Sequence, residues 1–472
     1  MTIRNRFLAL LMGACALLAA GAVTAAGNPA DPDPSFGNFG NGWQLIPVVD
    51  DQFVVAVVPF GGGILVCMSE DGGAGGQLIR LTKRHADGTL DTSWGTNGHV
   101  VKDAYLYGVA DMTLDKQGRI VVVGATPAGG GGYHMAVVRF KADGTDDASF
   151  AGDGGLAVSF NDWDGSGNPF VCVAQSAIAL PSGSLIVVGN VLGTGGWTGG
   201  TAFISADGNT AQPLGDMRFE TGRPAVVNRI LEVASIPEMP QGGYVVAGAS
   251  QNSAGKWRFG AALLKKDHTP LSITTWAFQG DGQADEIVSD LTAVDATHLL
   301  VAGTTNDRMA ALRLQILDDH VHPIHLALDT SFVGNSQAGY FGYRYVSPET
   351  GVPDVPVSGL RPFVRSLRDA SGRVLLATTI PSPVIPNVYL GLLSRLNAAG
   401  QPDVGFGSAG SASYRFPVSE TGFSDRTIFT AMMLQGEKPV LAGMMEDPEG
   451  GDRDGFLLRL QGNGLFSDGF ED

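Results

Sequence analysis

Cysteine is nearly absent from this chain, with 3 in 472 residues. That excludes a small disulfide-built scaffold, which would carry many more. Cys67 and Cys172 sit inside apolar runs of non-adjacent repeats and are expected to be buried, unpaired thiols. Charge is also sparse: 16% of residues are charged, and 30 Lys and Arg face 47 Asp and Glu. So few cations on so acidic a chain exclude nucleic acid as a partner. Long apolar runs are missing beyond the N-terminus. The later ones are of strand length, four to eight residues, so no transmembrane segment is expected in the mature chain.

The exception is the N-terminus, where Arg4 and Arg6 precede an apolar run from Phe7 to about Val23 that ends in the small residues Thr24, Ala25 and Ala26. This reads as a signal peptide over 1–26, cleaved after Ala25 or Ala26, with a single domain over 27–472. The mature protein is then secreted or periplasmic. Cys15 raises a lipoprotein alternative, which the continuation of the apolar run beyond it disfavours. Removing Arg4 and Arg6 leaves 28 basic against 47 acidic residues, a formal charge of −19.

Glycine is abundant, at 67 residues, roughly double its usual share. Turns must therefore be frequent. An aliphatic run ending in a small residue recurs at Ile64–Met68, Ile120–Gly124, Leu185–Gly189, Tyr244–Gly248, Leu299–Gly303, Val374–Thr378 and Pro439–Gly443, its ends 56, 65, 59, 55, 75 and 65 residues apart. Each run follows another strand-like stretch, in six copies across a glycine-containing turn, which is a hairpin signature. A third strand follows, often with a basic residue near its end (Arg139, Arg313, Arg395, Arg459), then a turn such as Asp143-Gly144. A fourth segment opens on an Asp-x-Ser-aromatic motif, as in Asp91-Thr-Ser-Trp94 and Asp147-Ala-Ser-Phe150.

Four short antiparallel strands cannot bury both faces alone, so neighbouring units must stack. The expected fold is all-β, a seven-bladed β-propeller with units near 49–105, 106–162, 170–219, 226–280, 287–346, 363–418 and 426–466. The last unit lacks a fourth strand. An orphan Asp33-Pro-Ser-Phe-Gly37 and the strand Trp43–Val48 supply it, so the N-terminal segment is expected to be the outer strand of the last blade, closing the ring.

The stretches ADGTLDTSWGTNG, DKQGRIVVVGAT and YHMAVVRFKADGTDDASF resemble the delta-60 repeat of bacterial exported proteins. The likeness is good in units one, two, six and seven and degenerate in the middle units, where Asp267-His268 and Asp318-Asp319 replace the Asp-Gly turn. It implies a propeller-like fold and brings no catalytic residue or ligand. The ending LFSDGFED resembles a short Phe-x-Asp-Gly-Phe-Glu tail on other exported proteobacterial proteins.

Ser93, Ser149 and Ser331 sit in the repeated motif. A catalytic serine occurs once, with its own base, so these are expected to hold turns. The recurring third-strand arginine is expected to form inter-strand ion pairs. His320, His322 and His325 cluster in one degenerate turn and are candidate ligands for a transition metal. Nearly half of the acids fall in the loops of one expected face. Its most ligand-like runs hold Asp162 and Asp164, and Asp447, Asp452 and Asp454, candidate calcium ligands, although neither run completes an EF-hand loop. The expected function is that of a monomeric, non-enzymatic binding or scaffold propeller recognising a protein, glycan or cell-surface ligand. The alternative is an extracytoplasmic hydrolase or lyase with its site at the channel mouth.

Overall fold

The computed structural model describes residues 28–46, 52–71, 77–106, 108–128, 132–160, 171–193, 195–237, 239–278, 285–305, 308–318, 324–332, 340–344, 364–382, 384–417, 423–446 and 453–462. The signal-peptide reading over 1–26 and the C-terminal tail therefore lie outside the described residues. All regular elements are strands, and among the described residues no helix is long and apolar enough to cross a membrane. The strands form five hydrogen-bonded sheets, two of eight strands, one of five and two of four. Each eight-stranded sheet is two four-stranded units joined by a single parallel contact, Tyr133 with Val171 in one and Tyr389 with Arg426 in the other.

Within a unit, consecutive strands pair antiparallel. In the second unit Gly108–Leu114 pairs Ile120–Pro127, which pairs Tyr133–Phe140, which pairs Gly155–Val158. The Asp-Lys-Gln-Gly turn makes this hairpin tight: the Asp115 carboxylate accepts the amides of Gln117 and Arg119, and Gly118 takes φ +75°. The fifth unit differs in having its outer edge in two pieces, His325–Leu328 and Tyr340–Arg344, both on Arg308–Leu317. The N-terminal Trp43–Ile46 pairs antiparallel with Arg453–Arg459, as its fourth strand.

The first strands of the units are Gln52–Phe60, Gly108–Leu114, Val171–Ala179, Ala225–Val233, Glu286–Ala293, Arg365–Arg368 and Arg426–Gln435. Each lies against the next, and Arg426–Gln435 lies against Gln52–Phe60. The core is divided between neighbours. One cluster joins Val123, Val137 and Phe150 of the second unit to Leu185 and Ala202 of the third, and another joins Val54 and Val66 of the first unit to Ala442, Leu457 and Phe36 of the last. Burying each such side chain contributes about 1.5–3 kcal/mol, so inter-unit packing holds the chain together.

A bulge interrupts six of the first strands, at the steps Val54/Ala56, Val109/Asp111, Ala174/Ser176, Val227/Arg229, Val288/Asp290 and Phe429/Ala431. This is why the marker run ends in glycine in five of these units, Met68 taking the equivalent place in the first. A Cβ at Gly124, Gly189, Gly248, Gly303 or Gly443 would meet a first-strand carbonyl at 1.8–2.0 Å, a distance no side chain tolerates.

Candidate functional site

The repeated motif is a staple between units. In the second unit Asp147 Oδ1 accepts the Ser149 amide and hydroxyl, and Oδ2 accepts Arg139 Nε at 2.7 Å. Arg139 lies over the Phe150 ring, 4.4 Å from its centroid, and donates to the Ala206 carbonyl of the third unit at 2.7 Å. Arg313 with Asp329 and Phe332 repeats the arrangement and reaches Ala398. Arg459 does so with Asp33 and Phe36, reaching Ala86 of the first unit. The aromatic ring then fills the space beneath the next unit's turn. A Cβ at Gly88, Gly144, Gly208 or Gly400, each at positive φ, would meet Phe36, Trp94, Phe150 or Phe332 within 2.8 Å. Ser93, Ser149 and Ser331 are each bound to their own aspartate. They hold turns, as the repetition implies.

Chemistry concentrates instead on the first strands. The residue just past each bulge occupies one equivalent position per unit, and unit six places Arg365 there, opposite Ala377. Five consecutive units present polar groups at this level: Asp111, Ser176, Arg229, Asp290 and Arg365; units seven and one present Ala431 and Ala56. Asp111 accepts the Ser176 hydroxyl at 2.9 Å. Asp290 accepts Arg229 Nε at 3.2 Å through one oxygen and the Ser366 amide at 2.7 Å through the other. Arg229 also donates to the Gln175 carbonyl, and Arg365 to the Thr430 and Ser289 carbonyls. Thr292 and Ser366 exchange a hydroxyl contact of 2.6 Å at the edge of the belt.

Burial pushes both carboxyls above the ordinary carboxylate range; the Arg229 charge pulls against it in each. Neither group is sealed off. Asp111 is half-buried, and the side chains of Asp290 and Arg229 retain 15% and 14% of their exposure. Carboxyls whose proton affinity is raised by burial, near a guanidinium and still reachable, are suited to proton transfer.

A family model described as a domain of unknown function (DUF5122) beta-propeller matches residues 118–150. The repeats are of β-propeller type. No curated protein matches the chain. Solved structures similar to it include a family 25 polysaccharide lyase, an ulvan lyase (9% identity, 88% of this chain and 94% of that one, TM-score 0.45). A Penicillium chrysogenum alpha-L-arabinanase is also similar (11%, 75% and 94%, TM-score 0.40), as is a Phanerochaete chrysosporium exo-beta-1,3-galactanase (14%, 61% and 59%, TM-score 0.31). All three are enzymes that act on carbohydrate polymers. The expectation of a non-enzymatic binding or scaffold propeller is corrected by this finding, the similar structures being carbohydrate-active enzymes. At such identities and TM-scores the likeness gives this propeller neither a substrate nor a reaction.

Of the candidate metal ligands, Asp162, Asp164, Asp447, Asp452, His320 and His322 lie outside the described residues. Asp454 is half-buried opposite Met445, and His325 opens an outer strand opposite Leu317. Among the described residues no three His, Cys, Asp or Glu side chains gather as a metal site. Several acids of the loop face are instead held by protein cations. Glu70 binds Arg80 at 2.6 Å, Asp285 binds Lys256 at 3.1 Å, and Glu446 lies 3.4 Å from Arg426. Cys67 and Cys172 are free and buried, and burial pushes the Cys172 thiol up to about 11.

Sequence reasoning missed the belt because its members are scattered one per unit inside apolar strands. A signal was present. Asp111, Arg229 and Asp290 each follow an aliphatic residue by two, in the strand preceding a glycine-ended marker, and that glycine marks the bulge opposite.

Proposed function

We propose that the chain is an extracytoplasmic hydrolase or lyase acting on a hydroxyl-rich, glycan-type substrate, its acid–base groups being Asp111 and Asp290. The scaffold is a closed, seven-bladed propeller of the delta-60 repeat type, exported with cleavage near Ala25 or Ala26. Closure is supported by Arg459 and Phe36 engaging the first unit's turn just as Arg139 and Phe150 engage the third's. It is supported too by the hydrogen bond from Thr430 to the Val54 carbonyl at 2.6 Å.

The observation that carries the activity is the pair of raised, accessible carboxyls sharing Arg229. Asp290 touches the guanidinium directly, which favours its carboxylate form, so it serves as base or charge stabiliser. Asp111 accepts the Ser176 hydroxyl and the Met112 amide and has no cation in direct contact; it serves as acid. Environments that separate two carboxyls in this way divide acid from base work. The neighbouring hydroxyls and arginines offer hydrogen bonds to sugar hydroxyls rather than an apolar pocket.

The test is a panel of polysaccharides and aryl glycosides assayed by reducing ends and by absorbance of unsaturated products. Asp111→Asn and Asp290→Asn should each lower kcat by about 10²–10⁴-fold, while melting temperatures stay within a few degrees. If both variants keep full activity, or if Asp290→Asn merely unfolds the protein while wild type cleaves nothing, the belt is a structural tie between blades.

A further inference from the structure

The junction between the third and fourth units has lost its staple. At the strand position of Arg139 the third unit has Phe203, its turn is one residue longer (closed by Ser205 to Thr210 where the second unit closes Lys141 to Thr145), no Asp-x-Ser-aromatic motif follows in Ala211–Met217, and at the position of Gly208 the fourth unit has His268. No aromatic ring fills the space beneath the turn. A cavity of about 100 Å³ lies there instead, walled by Ile186, Met217, Ile230 and Leu264, with Leu214 on one side and His268 on the other. His268 adopts φ +68° and stacks on Tyr244, with ring centroids 5.4 Å apart and planes 11° from parallel, which holds its ring at the mouth. Thr201 and Asp216 add polar groups to the lining.

We infer that this cavity is a binding site for a small aromatic ring carrying a hydrogen-bonding edge, of the phenol or indole class. The site is independent of the Asp111–Asp290 belt. The argument rests on internal comparison. Four sister junctions fill the corresponding space with a ring, Phe36, Trp94, Phe150 or Phe332, supplied by the chain itself. Here the chain supplies only Leu214, and apolar walls remain on both units. The volume is of the order of the ~150 Å³ apolar cavity known to take benzene. The lining combines these apolar walls with Thr201, Asp216 and His268, so a ring with a donor at its edge satisfies both parts of it.

The experiment is fluorine NMR of fluoroindole with the folded mature protein, in competition with phenol, cyclohexane and N-acetyltyrosinamide. Saturable binding displaced by phenol and not by cyclohexane is expected. Leu214→Phe and Ile230→Phe fill the cavity from the third and the fourth unit respectively; each should weaken fluoroindole binding roughly tenfold or more, with melting curves showing that the variant is folded. Displacement by N-acetyltyrosinamide assigns the ring to a peptide side chain, and its failure beside success with phenol assigns it to a free small molecule. No saturable binding at millimolar probe, equal displacement by cyclohexane, or unchanged binding in both filled variants overturns the inference.

Discussion

Individual side chains here divide between two electrostatic tasks of opposite sign. The staple carboxylates are held below their ordinary range. For Asp147, burial opposes the shift but is outweighed by the Ser149 hydrogen bond and the Arg139 charge; Asp33 is lowered to about 2, burial being outweighed by Lys438, Ser35 and Arg459. Their contribution to stability is present above the ordinary carboxylate range and is lost as pH falls through the lowered values. Asp111 and Asp290 behave in reverse. Being raised, they favour the folded state while protonated, and that stability is lost as pH rises through their folded values. Asp111→Asn should therefore lose less stability than wild type between the carboxylate range and neutrality, measured by denaturant melts across pH; parallel curves for the two proteins would contradict this. Arg139 is fully buried, and removing it takes from Asp147 its direct 2.7 Å partner, leaving only Arg119 at 3.6 Å. Arg139→Ala is expected to cost about 3–5 kcal/mol in chemical denaturation, far more than loss of an exposed ion pair would.

At the scale of the strand, the bulge links sequence to site. It was the glycine-ended marker that made the repeat legible, because hairpin turns and small-residue endings are local signals. The belt was illegible because nothing local relates Asp111 to Arg229, whose Coulombic coupling exists only once the first strands of units two to five lie side by side. The split outer edge of unit five was likewise unseen, since the histidine-bearing turn hid where the fourth strand begins. Gly303→Ala probes the link directly. Its Cβ would fall 2.0 Å from the Ile287 carbonyl, so the strands must part at the bulge that presents Asp290. The expected cost is about 1–3 kcal/mol, together with a shift in the pH profile of activity. A variant that loses stability with an unmoved profile would separate the bulge from the presentation of Asp290.

For the whole molecule the question is what keeps a chain of nearly independent four-stranded units from opening. Among the described residues the strands of each unit pack mainly on the neighbouring units, so stability is a sum of unit and interface terms, and a missing interface would leave exposed edges. The N-terminal segment contributes to that last interface three times over. Trp43–Ile46 supplies a fourth strand to Arg453–Arg459. Phe36 packs beneath the turn of the first unit, where Gly37 donates to the Asp87 carbonyl at 2.8 Å. Asp33 receives both Arg459 and Lys438. Deleting residues 32–48 removes a strand, a wedge and a staple together, exposing the edge of Arg453–Arg459 and stranding Arg459 without its carboxylate. The expected result is aggregation, or a fall in melting temperature much larger than that caused by Phe36→Leu alone, which creates only a cavity costing about 1–3 kcal/mol. Calorimetry and light scattering on both variants decide it. A soluble deletion variant melting with the parent would mean that the first and last units hold together through their inner strands alone, by Thr430 to Val54 and the cluster around Ala442, and that the outer strand adds nothing to a contact already made.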